Sequence, residues 1–404
     1  MNKIELLFLD ILKASLAGAK APALRGLSQE EISALIGISS QHKVLPLVFE
    51  ACHEDLPVPA LKNMVRQQVM IQTIKSNEFL QLYGQLLEHG LHPIVVKGII
   101  CRNLYPKPDH RISADEDLLI PPSELDAARS VLEAFGMSTT VSNPDAYEYP
   151  YRKAQSPLYI ELHKNLFPPE NNAYGDWNTL FDHVFDDSYF ETIQGITVYT
   201  MKPTDHLLYL ICHALKHFMH SGFGIRQVCD IIMYADRWNS VIDWEQLFDK
   251  CKSIHATYFA ASVFQIGSKY LNFDNTHTLL PACWTSLSLD ESDMLEDLLA
   301  GGVYGSSSVS RMHSSNMTLN AVSSSRKQGR GKVSIFSSVF PSAAKLEARF
   351  PYLKEHPWML PAAWCQRLVQ YGRETAAGGS DQALEAVKIG AKRVELLRQY
   401  GVIK

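Results

Sequence analysis

The sequence predicts an α+β chain, a small mixed-sheet core flanked by N-terminal and C-terminal helical regions. Three observations predict it. Apolar residues recur three and four apart from Ile4 to Leu87. Short β-rich runs punctuated by Gly and Pro fill residues 91–200, and helical periodicity returns from about Pro203. At roughly 100 to 200 residues per domain, 404 residues allow about two or three domains. With 46% apolar and 20% charged residues, the composition is that of a globular chain with ample core material.

The elements follow in order. Residues 1–90 form an N-terminal helical region, with Ser28 before Glu30 and Glu31 as a helix start and Gly90 as a C-cap. Residues 91–200 form the α/β core. Ile94-Val95-Val96 is a strand ending at Lys97-Gly98, and Ile99 to Tyr105 is a helix stopped by Pro106 and Pro108. Asp115 to Ile120 is a strand, Glu124 to Phe135 a helix closed by Gly136, and Leu158 to Leu162 another strand. Residues 201–300 are a helical domain. Residues 301–335, rich in Ser and Gly, read as a flexible loop or linker, and 336–404 return to helix.

The bulk numbers exclude some classes. A net charge of −5 gives no overall case for nucleic acid or an anionic membrane. Cys52, Cys101, Cys212, Cys229, Cys251, Cys283 and Cys365 are scattered without a C-x-x-C pair, as expected of reduced thiols in a cytoplasmic protein. Met1 to Leu24 lacks a signal-peptide pattern, and no run approaches the roughly 18 apolar residues that span a membrane.

The chemistry concentrates in Lys97-Gly98 and in Arg111-Ile112-Ser113-Ala114-Asp115-Glu116-Asp117-Leu118. Side chains alternate along a strand, so Asp115 and Asp117 share a face, and Glu116 points the other way unless it sits at the rim. Two carboxylates on one face repel unless a cation lies between them. Mg²⁺ is the natural ion for such oxygen ligands. Glu161, in Leu158-Tyr159-Ile160-Glu161-Leu162-His163, is the third carboxylate that would complete a two-metal site, and His163 shares its face. A glycine between strand and helix suits phosphate, with Lys97 as a point charge and Arg111 as either a second charge or a brace for the strand. An isolated D-x-D is usually a solvated rim; the combination argues for more.

These residues resemble a known family. Lys97-Gly98 with Arg111-x-Ser113-x-Asp115-x-Asp117-Leu118 is similar to the signature of the DNA polymerase beta-like nucleotidyltransferase superfamily, including its abortive-infection-type members. The closer resemblance is to the bacterial uncharacterised nucleotidyltransferase family (the nucleotidyltransferase_5 group). It rests also on Leu104-Tyr105-Pro106, Glu161-Leu162-His163, and His213-Ala214-Leu215-Lys216-His217 followed by Arg226 and Asp230. It spans roughly Leu80 to Leu271, with a weak extension to Phe340-Pro341 and Trp358–Arg367. The resemblance implies a nucleotidyltransferase core in which Asp115, Asp117 and Glu161 hold Mg²⁺ or Mn²⁺. It implies that NMP passes from an NTP to an acceptor with release of pyrophosphate. Under it Gly98 is the phosphate-turn glycine and His213 and His217 face the cleft; Lys97, Arg111 and Ser113 are further candidates for the nucleotide site, and His163 reads as a phosphate contact, a support for a metal ligand or a satisfied core histidine. The acceptor stays open: a small molecule, peptide, protein or tRNA. The wider superfamily has Gly-Ser at the turn and an apolar residue between the aspartates, where this chain has Gly98-Ile99 and Glu116. Alternative readings are a metal-dependent phosphohydrolase or phosphotransferase, and a non-catalytic nucleotide-binding module on the same fold.

His213, His217 and His220 fall on one helix face. That spacing can hold zinc, but lining the cleft or bonding within the core explains it better. Arg226 and Asp230 at i, i+4 read as a buried brace or a surface pair. The basic run Arg326 to Lys332 is the feature that fits nucleic-acid phosphates, with a solvated loop as the default. Trp358, Trp364 and Tyr371 read as packing residues rather than a stacking platform.

Overall fold

The computed structural model describes residues 1–404 except 22, 23, 25, 53–58, 275–279, 288, 304–308, 329–345, 347–349, 354, 355, 365, 367–379 and 404. Cys365, Phe340, Pro341, Arg367, Tyr371 and the 329–332 part of the basic run therefore lie outside the described residues. The architecture is α+β, with helical regions on either side of a mixed sheet.

The N-terminal region comprises α1 (Lys3–Leu16), α2 (Gln29–Gln41), α3 (Leu45–Cys52) and α4 (Pro59–Glu88). Both α1 and α2 begin in capping boxes. Asn2 accepts from the Ile4 and Glu5 amides while Glu5 accepts from Asn2 N–H, and Ser28 and Glu31 repeat the exchange. Gly90, at φ +74°, ends α4 as the sequence predicts.

The core follows as β1 (Ile94–Val95), α5 (Gly98–Arg102), β2 (Glu116–Leu119), α6 (Leu125–Ala134), β3 (Met137–Ser138), β4 (Glu148–Lys153) and β5 (Tyr159–His163). Among the described residues, the sheet order is β1-β2-β5-β4-β3, with β2 and β5 parallel and the other pairs antiparallel. Leu118, Ile120, Ile160 and Leu162 face the core as expected. Strand β4 was hidden by Pro150, which argues against an inner strand. The structure tolerates it because β3 pairs only with Arg152 and Lys153, leaving β4 an edge at Pro150. A hairpin of β6 (Ser188–Ile193) and β7 (Ile196–Met201), absent from the expected elements, turns at Gln194-Gly195, both at positive φ. It is tied to β1 by Thr200, whose hydroxyl donates to Val95 O at 2.7 Å. Tyr83 OH from α4 joins them, donating to Pro93 O and accepting from Tyr199 N–H.

The chain continues through α7 (Pro203–Met219), α8 (Ile225–Arg237), α9 (Trp244–Ser253), α10 (Thr257–Tyr270), α11 (Ala282–Thr285), α12 (Ser292–Gly301), α13 (Val309–Gln328) and α14 (Ser380–Gln399). Helix α13 corrects the expectation of a flexible loop: residues 309–328 of that segment are helical and pack on α14. Its serines and threonines hid the pattern because its buried face is small. Ala321 and Val322 are buried, and Ser314 and Thr318 satisfy their hydroxyls on the carbonyls of Arg311 and Ser315. Arg326, in the basic run, pairs with Asp176 at 2.7 Å and lies over the Trp177 ring. Helix α14 places Arg393 on the last carbonyls of α7, at Phe218 and His220. Trp358 departs from the packing expectation: it is 76% exposed, in a 3₁₀ turn begun by Pro357. Cys52, Cys101, Cys212, Cys229 and Cys251 are buried thiols outside any disulfide, and Cys283 is half-buried. Among the described residues, no helix is long and apolar enough to cross a membrane.

Candidate active site

The parallel register of β2 and β5 sets Asp117 opposite Glu161. Pleating puts His163, two residues on, on the same face. The β4–β5 register then sets Glu148 opposite His163. His163 Nε2 lies 3.2 Å from Asp117 Oδ1 and 3.6 Å from Glu161 Oε2, and its Nδ1 lies 3.6 Å from Glu148 Oε2. Asp117 and His163 are buried; Glu161 and Glu148 are half-buried and form the open side. Lys97, just after β1, brings Nζ to 3.0 Å from Asp117 Oδ2 and 3.1 Å from His213 Nε2 on α7. His217 Nε2 lies 3.2 Å from His213 Nε2.

The electrostatics follow from this packing. Burial opposes ionisation of Asp117, but Lys97 and His163 outweigh it and hold the carboxyl well below the usual carboxylate range. Burial pulls His163 down, yet its bonds to Asp117 and Glu161 prevail and raise it to about 9. Burial, reinforced by Lys97, pushes His213 well below its ordinary value; burial, reinforced by Lys216 and Lys97, does the same to His217, so both rings are neutral at pH 7. Lys216 is also depressed by burial and by Lys97, against the pull of Glu148, Asp117 and Glu161.

The expected residues are placed unevenly. Asp117, Glu161 and His163 come together, with ligand atoms all within 4.8 Å of one another. Asp115 is outside that group. It precedes β2 and lines a cavity of about 20 Å³ with Lys97, Gly98, Arg111, Ser113, His213, Arg226 and Asp230. Glu116 begins β2, but it is fully buried rather than at the rim. Its carboxylate takes Arg102 at 2.6 Å and the Ile99 amide at 2.9 Å, with Lys75 at 3.9 Å. The turn glycine is therefore explained differently from the expectation. Gly98 has φ +48°, and a β-carbon there would sit 1.9 Å from Glu116 Oε2. Ser113 accepts from Arg102 at 2.7 Å and lies against Lys75 and Gln72, bracing the loop before β2. Arg111 is a brace too. It holds Asp230 at 2.9 and 2.5 Å, with Tyr105 OH donating to Asp230 at 2.8 Å. The Arg226–Asp230 brace is thus corrected: Asp230 belongs to Arg111, and Arg226 donates to Ile112 O. His220 turns away from His213 and His217 and meets Tyr174 OH at 2.8 Å.

The sequence reading missed Glu148, Lys216 and the Lys75–Arg102–Glu116 cluster. Lys216 had a signal, lying three residues from His213 and so on its face. Glu148 had a weaker one, alternating with the core residues Tyr149 and Tyr151. Lys75 had none, since its partners are about 40 residues away.

The donor set fits a divalent cation. Two carboxylates and an imidazole converge, and Asp117 Oδ2 accepts no well-angled hydrogen bond, its contact being the Lys97 ion pair. Residues 28–272, more than half of the chain, match the family described as Uncharacterised nucleotidyltransferase. No curated protein and no solved structure matches the chain. The chain belongs to the uncharacterised nucleotidyltransferase family.

Proposed function

We propose that the protein is a metal-dependent nucleotidyltransferase, moving NMP from an NTP to a hydroxyl or phosphate acceptor with release of pyrophosphate. The observation that carries this reading is the register pairing of Asp117 with Glu161 on parallel strands, with Lys97 3.0 Å from Asp117. Asp117 and Glu161 would hold Mg²⁺ or Mn²⁺, with Asp115 completing the set on the cavity side. A cation held there would lower the pKa of an acceptor hydroxyl and neutralise phosphate charge. The acceptor oxygen forms its bond to the α-phosphorus as the bond to the β-phosphate oxygen breaks, and its proton passes to a carboxylate. Lys97, held by Asp117 and by neutral His213, supplies a mobile positive charge to the leaving pyrophosphate. Lys216, facing Glu148 and Glu161, supplies a second. The cavity behind Lys97, about 20 Å³, admits roughly one water, so the nucleotide enters over Glu161 and Glu148.

One observation favours the non-catalytic module. Glu116 occupies the Ile99 amide, an N–H that a phosphate-binding turn would offer. Incubation with each labelled NTP, metal and cell extract separates the readings. Transfer of label with pyrophosphate release, lost at least about 100-fold in Asp117→Asn and Asp115→Ala with circular dichroism unchanged, supports the enzyme. Nucleotide binding without turnover, indifferent to Asp117→Asn, sinks it.

A further inference from the structure

We propose that His163 is itself a metal ligand, so that Asp117, Glu161 and His163 bind a divalent transition-metal ion in preference to Mg²⁺. The proposal deepens the metal site of the preceding reading and does not depend on whether a nucleotide is turned over.

Donor chemistry is the first argument. Mg²⁺ seeks oxygen and retains its waters, whereas an imidazole nitrogen beside two carboxylates suits zinc, cobalt or iron and is accepted by manganese. Orientation is the second. His163 Nε2 faces both Asp117 Oδ1 and Glu161 Oε2, and Nδ1 faces Glu148 Oε2. At 3.6 Å that contact is longer than a hydrogen bond and Nδ1 is otherwise unsatisfied, so Glu148 stands where a carboxylate would take the other N–H of a histidine whose Nε2 holds an ion. Glu148 is fixed there by the strand register that pairs it with His163.

Spacing is the third argument. Neighbouring donors on an ion with bonds of about 2.1 Å lie roughly 3.0 to 3.4 Å apart. The two pairs that include His163 are at 3.2 and 3.6 Å, and all three donor atoms lie within 4.8 Å of one another, so an ion closes the group by moving the half-exposed Glu161 carboxylate roughly an ångström or less. Lys97 takes Asp117 Oδ2 and leaves Oδ1, the oxygen facing His163, for the ion. The imidazole is 5% exposed and held among these side chains, so an ion entering between the carboxylates meets Nε2. Glu161 and Glu148 provide the path in, being 24% and 31% exposed.

The test uses the full chain, stripped of metal and titrated with Co²⁺. Visible absorption reports ligation, and Zn²⁺ and Mg²⁺ act as competitors. The expected result is a Co²⁺ band that Zn²⁺ abolishes and a thousandfold excess of Mg²⁺ leaves standing. His163→Asn weakens Co²⁺ binding at least tenfold. Glu148→Gln, half-exposed and free of the folding risk of a buried change, weakens it severalfold through the orientation of the ring. Mg²⁺ displacing Co²⁺ at equal concentration overturns the proposal, as does full Co²⁺ affinity in both variants. The second result would make His163 a proton-bearing clamp between two carboxylates. Tight Co²⁺ binding in a chain that transfers no nucleotide would refute the enzymatic reading alone; transfer supported by Mg²⁺ with no cobalt band would refute only this one.

Discussion

Glycine is required at position 98 by a neighbour that the local sequence does not suggest. Glu116 Oε2 packs so close to the Gly98 α-carbon that any side chain would displace the carboxylate from Arg102 and from the Ile99 amide. Gly98→Ala should therefore lower the unfolding free energy by roughly 3 kcal/mol, through positive-φ strain and disruption of the ion pair. Glu116→Gln should cost roughly 3 to 5 kcal/mol, because Arg102 and Lys75 would be left buried without their counter-charge. Urea denaturation of both variants decides the matter, and a loss below about 1 kcal/mol in each would refute this account. The acidic pattern at 115–117 was legible as chemistry, but its division of labour was not. Alternation along a strand separates Glu116 from Asp117, yet cannot tell that the former meets two cations in the core.

Among the elements, the loop before β2 is clamped to α8. Arg111 binds Asp230 through two nitrogens, and Tyr105 donates to the same carboxylate. All three side chains are buried, so the clamp fixes where Asp115 and Asp117 stand relative to α7 and α8. Tyr105→Phe removes one hydrogen bond and should cost roughly 1 to 2 kcal/mol. Asp230→Asn strands a buried guanidinium and should cost roughly 3 to 5 kcal/mol. Thermal melts that rank the two in the reverse order would show that Arg111 is not held as drawn. An i, i+4 pairing of Arg226 with Asp230 was the local expectation. The tertiary contact prevailed because Arg111 meets Asp230 end-on through two nitrogens, while Arg226 is turned to Ile112 O. Helix α13 carries a similar lesson, since a face of Ala, Val and bonded hydroxyls packs well while showing little apolar periodicity.

For the molecule as a whole, buried histidines set the pH window of stability. His42 accepts the Ile225 amide on Nδ1 and faces Leu299 O with Nε2, joining the ends of α2, α8 and α12 as a neutral ring. Burial lowers both His42 and His206 to about 4. Each takes up its proton more readily when unfolded, so stability is full above about pH 6.5 and falls as pH drops toward 4. The loss is roughly 3 kcal/mol per ring. His163 runs the other way. With its folded pKa raised to about 9, its contribution is complete below about 6.5 and disappears as pH rises through 9. Metal-free protein should accordingly melt highest near pH 6.5. His42→Asn should make the acid arm shallower, with His206 still contributing, and His163→Asn should flatten the alkaline arm. A melting profile flat from pH 4 to 9 would contradict this assignment of neutral and charged rings.

By itself the sequence determined the helical regions on either side of the sheet and the start of α2 at Ser28. It also determined the principal strands and the shared face of Asp117, Glu161 and His163, since these depend on periodicity and on contacts a few residues apart. Tertiary structure alone decided that Glu148 stands beside His163, that Glu116 is buried against Lys75 and Arg102, and that Asp230 serves Arg111. Those pairings cross distances of 14 to 119 residues in the chain. Over such separations, register and burial select the partner, and no local pattern encodes them.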